Sequence, residues 1–222
     1  MTTVPESYKT GWWSCSYRVT PVANPPTLPS WRAILLEVKG SETGWPVWLS
    51  LESRPGMGMR ISGDVIECLL GDTDDRDFWR ADPKGELFLL RRLQEDTDFK
   101  NAQPGTFIDL TLPVWRTGEC LLHSSRLATK LGADLVEMEM RWGGLAGREL
   151  RALAGPNRSV MRHLVCHDTE VSAAVTATAL EIPDTLPALV KALVAPLYAR
   201  FDFFEPADEL YESELHRMRT GI

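Results

Sequence analysis

Between Pro113 and Gly132 the apolar positions recur at steps of three and four, and on either side of that stretch they recur at steps of two. Val114, Gly118, Leu121, Leu122, Ser125 and Ala128 share one helical face. Ahead of them Phe107, Asp109 and Thr111 alternate with Ile108, Leu110 and Leu112, and behind them Leu135, Glu137 and Glu139 alternate with Val136, Met138 and Met140. A helix repeats every 3.6 residues and a strand every two, so this pattern sets one helix between two strands and excludes an all-helical or all-strand chain. Pro113 suits the first turn of that helix, and Gly132 supplies its C-terminal stop.

The rest of the chain repeats the mixture. Residues 11–20, rich in aromatic and β-branched types, predict a strand that runs into Pro21. Leu28, Trp31, Leu35 and Val38 predict a short helix near 30–39. Strands are expected within 57–70, ending in VIECLL, and at 85–93, 106–112, 134–142 and 170–180. Leu186, Leu189, Val190, Leu193, Val194 and Leu197 give the strongest helical periodicity, over 185–199, and the tail ends in a short acidic helix. The fold class expected is α+β: a mixed β-sheet packed against two main helices, about 113–131 and 185–199, with the shorter helix near 30–39. One module spans 1–222, with a weak internal boundary near 100–106.

The 222 residues carry 24 Lys and Arg against 31 Asp and Glu, a net charge of −7, so no global basic surface draws the chain onto nucleic acid or anionic lipid. The first ten residues lack the charged and apolar regions of a secretory signal, and no apolar run is long enough to span a bilayer; a cytoplasmic protein without membrane contact is expected. Cys15, Cys68, Cys120 and Cys166 are scattered, unlike the dense cysteines of a disulfide-stapled domain, and reduced buried thiols are expected.

Several short stretches fit one pattern when taken in order: Thr43-Gly44-Trp45-Pro46, Ile66-Glu67-Cys68, Asp77-Phe78-Trp79-Arg80, Pro113-Val114-Trp115-Arg116 with Glu119 and Leu122-His123, Trp142-Gly143-Gly144-Leu145 with Gly147-Arg148, and Pro196-Leu197-Tyr198 with Phe201-Asp202-Phe203-Phe204. Together they resemble the C-terminal module of bacterial proteins that begin with a Schlafen-type, AlbA-like DNA-binding domain. The resemblance implies a place in nucleic-acid regulation or phage defence, and it transfers no catalytic residue. Such proteins carry the AlbA-like domain ahead of this module, whereas this sequence opens directly on the module, which leaves two readings: a module separated from a longer protein, or one that stands alone and for which a partner chain could carry the DNA-binding domain.

Chemical motifs are sparse. Gly56 and Gly58 lack the third glycine of a dinucleotide loop, and neither a phosphate loop, a nucleophile elbow nor a zinc-protease helix occurs; no cofactor is expected. Cys120 and His123 lie three apart, and His163 and Cys166 repeat the spacing. The two pairs would share a zinc only if they met, and a buried thiol and a satisfied histidine form the stronger alternative. Asp64, Glu67, Asp109 and Glu119 offer carboxylates that no spacing selects.

The most informative charges are Arg141, Arg148, Arg151, Arg158 and Arg162, opposed within 141–163 only by Glu149. Planar guanidinium forks beside glycines suit phosphate oxygens, which makes these five the candidate nucleic-acid or phosphate patch. The alternative is that they pair with the acidic segments 72–77 and 95–98 or with the acidic tail. A cage of Trp12, Trp13, Trp45 and Trp48 for a base or small ligand stands against the same rings filling core and interface. The expected function is a non-enzymatic accessory or sensing module that associates with itself or with a partner chain. A metal-dependent nuclease-type effector and a purely structural dimerisation domain are the alternatives.

Overall fold

A computed structural model describes residues 10–44, 46–71, 77–97, 103–154, 160 and 162–220. The elements run β1 (Trp12–Thr20), α1 (Leu28–Val38), β2 (Arg60–Ser62), β3 (Val65–Leu70), β4 (Asp77–Ala81), β5 (Glu86–Arg92), a 3-10 turn (Gln94–Asp96), β6 (Phe107–Asp109), α2 (Leu112–Leu131), β7 (Leu135–Gly143), β8 (Glu149–Arg151), β9 (Glu170–Thr178), α3 (Ile182–Tyr198) and α4 (Asp208–Thr220). The fold is α+β. Seven strands form one sheet in the order β2-β3-β4-β5-β1-β7-β9, and every pairing in it is antiparallel. Parallel pairing is confined to the small β6-β8 sheet. Strands from both sides of 100–106 meet on β1, which pairs with β5 on one edge and β7 on the other.

Side chains alternate across this sheet, and its two faces differ. Trp13, Cys15, Tyr17 and Val19 of β1, Leu87 and Leu89 of β5, and Val136, Met138, Met140 and Trp142 of β7 belong to one large core. They share that core with Trp31 and Leu35 of α1, Cys120, Leu121 and Leu127 of α2, and Leu186, Val190, Leu193 and Leu197 of α3. The helices thus cover one face. On the other face Trp12 and Leu90, with Phe88 against them, form a separate apolar cluster.

Local chemistry explains the element ends. Gly132 closes α2 in the left-handed conformation (φ 66°), its N–H returning to the last turn, while Asp109 Oδ1 accepts from the Thr111 and Leu112 amides (2.8 and 3.2 Å) at the start. The β4–β5 hairpin turns on Asp82-Pro83-Lys84-Gly85, where Gly85 (φ 91°) sits so close to Val19 that a Cβ would lie 2.7 Å from its carbonyl oxygen. Pro187, inside α3, has no N–H for the carbonyl four residues earlier; Arg219 of α4 donates to that carbonyl, Pro183 O, at 2.9 Å.

Candidate functional site

Of the five arginines singled out by the sequence, the four among the described residues do not converge on one surface. Arg148 is an interior strut: its side chain is 1% exposed and forms a two-pronged ion pair with Asp96 (2.8 and 2.7 Å), and it also donates to the Gly144 and Phe107 carbonyls. It is therefore not a surface cation, because the 3-10 turn carries Asp96 directly beneath the β7–β8 connection. Burial pushes the Asp96 carboxyl up, but hydrogen bonds from Arg148, Gly105 and Gly11, with the Arg148 charge, outweigh it and hold it below its ordinary range. Arg151 is half-exposed, donates to Glu149 and lies 5.5 Å from the Phe107 ring. Arg141 pairs with Glu170 beside Trp12. Arg162 is exposed, and Arg158 lies outside the described residues. The alternative pairing with segment 95–98 is the one Arg148 adopts.

The cysteine and histidine pairs are equally dispersed. His123 is wholly buried, stacked on Trp48 (4.2 Å between centroids) with Nδ1 2.8 Å from Tyr17 Oη; burial, with the nearby Arg126 charge, depresses its pKa to about 3. His163 is exposed and bonded to Glu149. Burial raises the Cys120 thiol well above its ordinary value, with Cys15 adding to it, and raises Cys166 as well, whereas metal ligation needs thiolates. Among the described residues no three His, Cys, Asp or Glu side chains meet as a metal site.

The candidate acids are structural where they are buried. Asp109 caps α2 and accepts from the Leu153 and Ala154 amides with its other oxygen. Glu119 holds Thr43 and Arg116. Glu67 pairs with Arg60 at the sheet edge. Trp12 and Trp13 point to opposite faces and Trp48 is in the core, so these three build no cage; Trp45 lies outside the described residues.

A groove of about 870 Å³ lies on the uncovered face of the sheet. Strand register makes its floor: Ser16 lies between Phe88 and Glu139, Ser14 between Leu90 and Arg141, and Ala174 next to Glu139. These small side chains leave a trough between taller ones. Arg18, Arg80 and Arg141 line it with Asp82, Glu86, Glu137 and Glu139, three positive charges against four negative. Arg18 bridges Glu86 and Glu137 across three strands (3.0 and 4.0 Å). No family model, curated protein or solved structure matches the chain.

Sequence reasoning missed this groove because its small floor residues are separated by more than 150 positions and carry no local chemical signature. The alternation of 134–142 was the available signal, since it leaves Glu137 and Glu139 on the outer face.

Proposed function

We propose that this chain is a non-enzymatic accessory or sensing module of a nucleic-acid-directed regulatory or phage-defence system, and that it works by holding a partner chain against the open face of its sheet. The observation that carries this reading is the groove itself: one face of a seven-stranded sheet is packed by helices, and the other is left as a trough floored by Ser14, Ser16 and Ala174. Mixed charges with one excess negative favour a polypeptide over a polyanion there. Arg148 is buried and Arg141 and Arg151 are paired with acids, so nucleic acid is reached through the partner, which carries the DNA-binding domain.

The test is native mass spectrometry of the chain purified gently from its source cells, wild type against Ser16→Trp, which fills the trough on a solvent-facing position. A DNA-binding protein that co-elutes with wild type and is lost from the variant, with the circular dichroism spectrum unchanged, is the expected result. A partner retained by Ser16→Trp, or a wild-type chain that elutes bare or only with copies of itself, overturns the reading.

A further inference from the structure

A second cavity, of about 400 Å³, lies on the opposite side of the sheet from the groove, where the ends of β1 and β5 meet the first turns of α2. Trp13 and Arg91 are register partners on the helix-covered face, and both line it, together with Asp77, Arg92 and Arg116. Three guanidinium groups in so small a space are costly unless acids or a ligand compensate them. Two acids are in place: Asp77 on Arg91, and Glu119 on Arg116.

Arg91 is the decisive residue. Its side chain is 93% buried, and Nε donates to Asp77 Oδ2 at 2.8 Å. Among the described residues that is its whole set of hydrogen bonds, so the two terminal nitrogens, with four N–H groups, line the cavity without a protein acceptor. Neither nitrogen is sealed from solvent. Arg116 is committed differently. Nε and Nη2 donate to Gln94 Oε1 (3.0 and 2.6 Å), and Nη1 donates to Thr43 Oγ1 and Glu119 Oε2 (3.0 and 2.6 Å), so one N–H remains. This brace fixes the second guanidinium in position before any ligand arrives, which lowers the ordering cost of binding.

We infer that this cavity is a binding site for a small phosphate monoester, whose phosphoryl oxygens take the terminal nitrogens of Arg91 and the remaining N–H of Arg116. A guanidinium fork matches two oxygens of an oxyanion at once. The five N–H groups on offer exceed the roughly four lone-pair sites of a carboxylate and suit the three oxygens of a phosphoryl group. The volume, well beyond what phosphate alone requires, leaves room for an organic substituent against Trp13, within the range of small-molecule sites. The site stands on residues other than the arginine segment 141–162 and is independent of the groove on the outer face.

The test uses inorganic phosphate, phenyl phosphate and acetate as probes, titrated calorimetrically at low ionic strength into wild type, Arg91→Lys, Arg92→Gln and Ser16→Trp. Saturable binding of phosphate, tighter for phenyl phosphate, is expected in wild type and Ser16→Trp. Arg91→Lys keeps a charge for Asp77 but loses the fork and weakens binding at least tenfold; Arg92→Gln, on the half-buried neighbour, weakens it several-fold with an unchanged fold. No saturable binding of either phosphate, equal affinity in both folded arginine variants, or acetate binding as tightly as phosphate overturns the assignment.

Discussion

Replacing Arg148 with methionine tests whether this arginine is a strut rather than a ligand-binding cation. The substitution keeps an unbranched apolar stem but removes the guanidinium and four hydrogen bonds, two of them to Asp96, whose carboxylate then stays buried with only the Gly11 and Gly105 amides (2.8 and 2.7 Å). Breaking a buried ion pair from one side costs about 3–5 kcal/mol, because the remaining charge loses its compensation. For a chain of this size that corresponds to a fall in Tm of roughly 6–20 °C. Urea unfolding of wild type, Arg148→Met, Asp96→Asn and the double variant measures it. The double variant should lose clearly less than the sum of the two singles, since no charge is stranded in it. A loss below about 1 kcal/mol for Arg148→Met, or strict additivity, would refute the strut and return Arg148 to the list of free cations.

Two further perturbations test other parts of the interior. Burial raises Glu95 to about 7, so between its ordinary value and pH 7 the unfolded chain releases a proton that the native chain keeps, and stability declines as pH rises by roughly 3 kcal/mol across that window. His123, held near 3, acts in the opposite sense: below its ordinary value of 6.5 the unfolded chain binds a proton that the native chain refuses, so stability declines as pH falls. The two slopes oppose each other between about pH 4.5 and 6.5; Glu95→Gln should expose a steady loss on acidification, and urea midpoints with the same pH slope in both proteins would contradict this. At Gly118 a Cβ would lie 2.7 Å from Leu215 and 3.2 Å from Met218 of α4, so Gly118→Val should raise deuterium exchange across 208–220 while β1 stays protected, and unchanged exchange there would refute the contact.

The elements with a strong period were legible: α2 and α3, and the strands at 12–20, 86–92, 135–143 and 170–178, lie within a few residues of their expected bounds. Others carried a weaker code. Asp77–Ala81 is a strand of five residues directly after an acidic run, too short for its alternation of Trp79 and Ala81 against Phe78 and Arg80 to stand out. The weak alternation of 57–70 is two strands folded back at Gly63, which takes φ 62°. For Arg148 the sequence left two readings, an exposed patch or pairing with an acidic segment such as 95–98, and charge alone does not choose between them; the fold takes the second by bringing Asp96, 52 residues upstream, beneath it. The Arg91 cavity joins β1, β5 and α2, and nothing local to any of the three announces the other two.

The interior position of β1, paired on both edges, bears on how the chain is made. Strand β1 is synthesised before both of the neighbours it needs, Glu86–Arg92 and Leu135–Gly143, and Trp12 finally lies opposite Gly143. At about 5–20 residues per second, synthesis from Thr20 to Glu86 alone takes roughly 3–13 s, and β7 follows later still. Throughout that interval the segment WWSCSYRVT leaves the ribosome with both edges unpaired, an apolar strand open to wrong partners. Nascent chains arrested beyond β5 but short of β7 should leave Trp12–Thr20 open to protease, and chains arrested well past Gly143 should not; early protection would mean that β5 alone secures it.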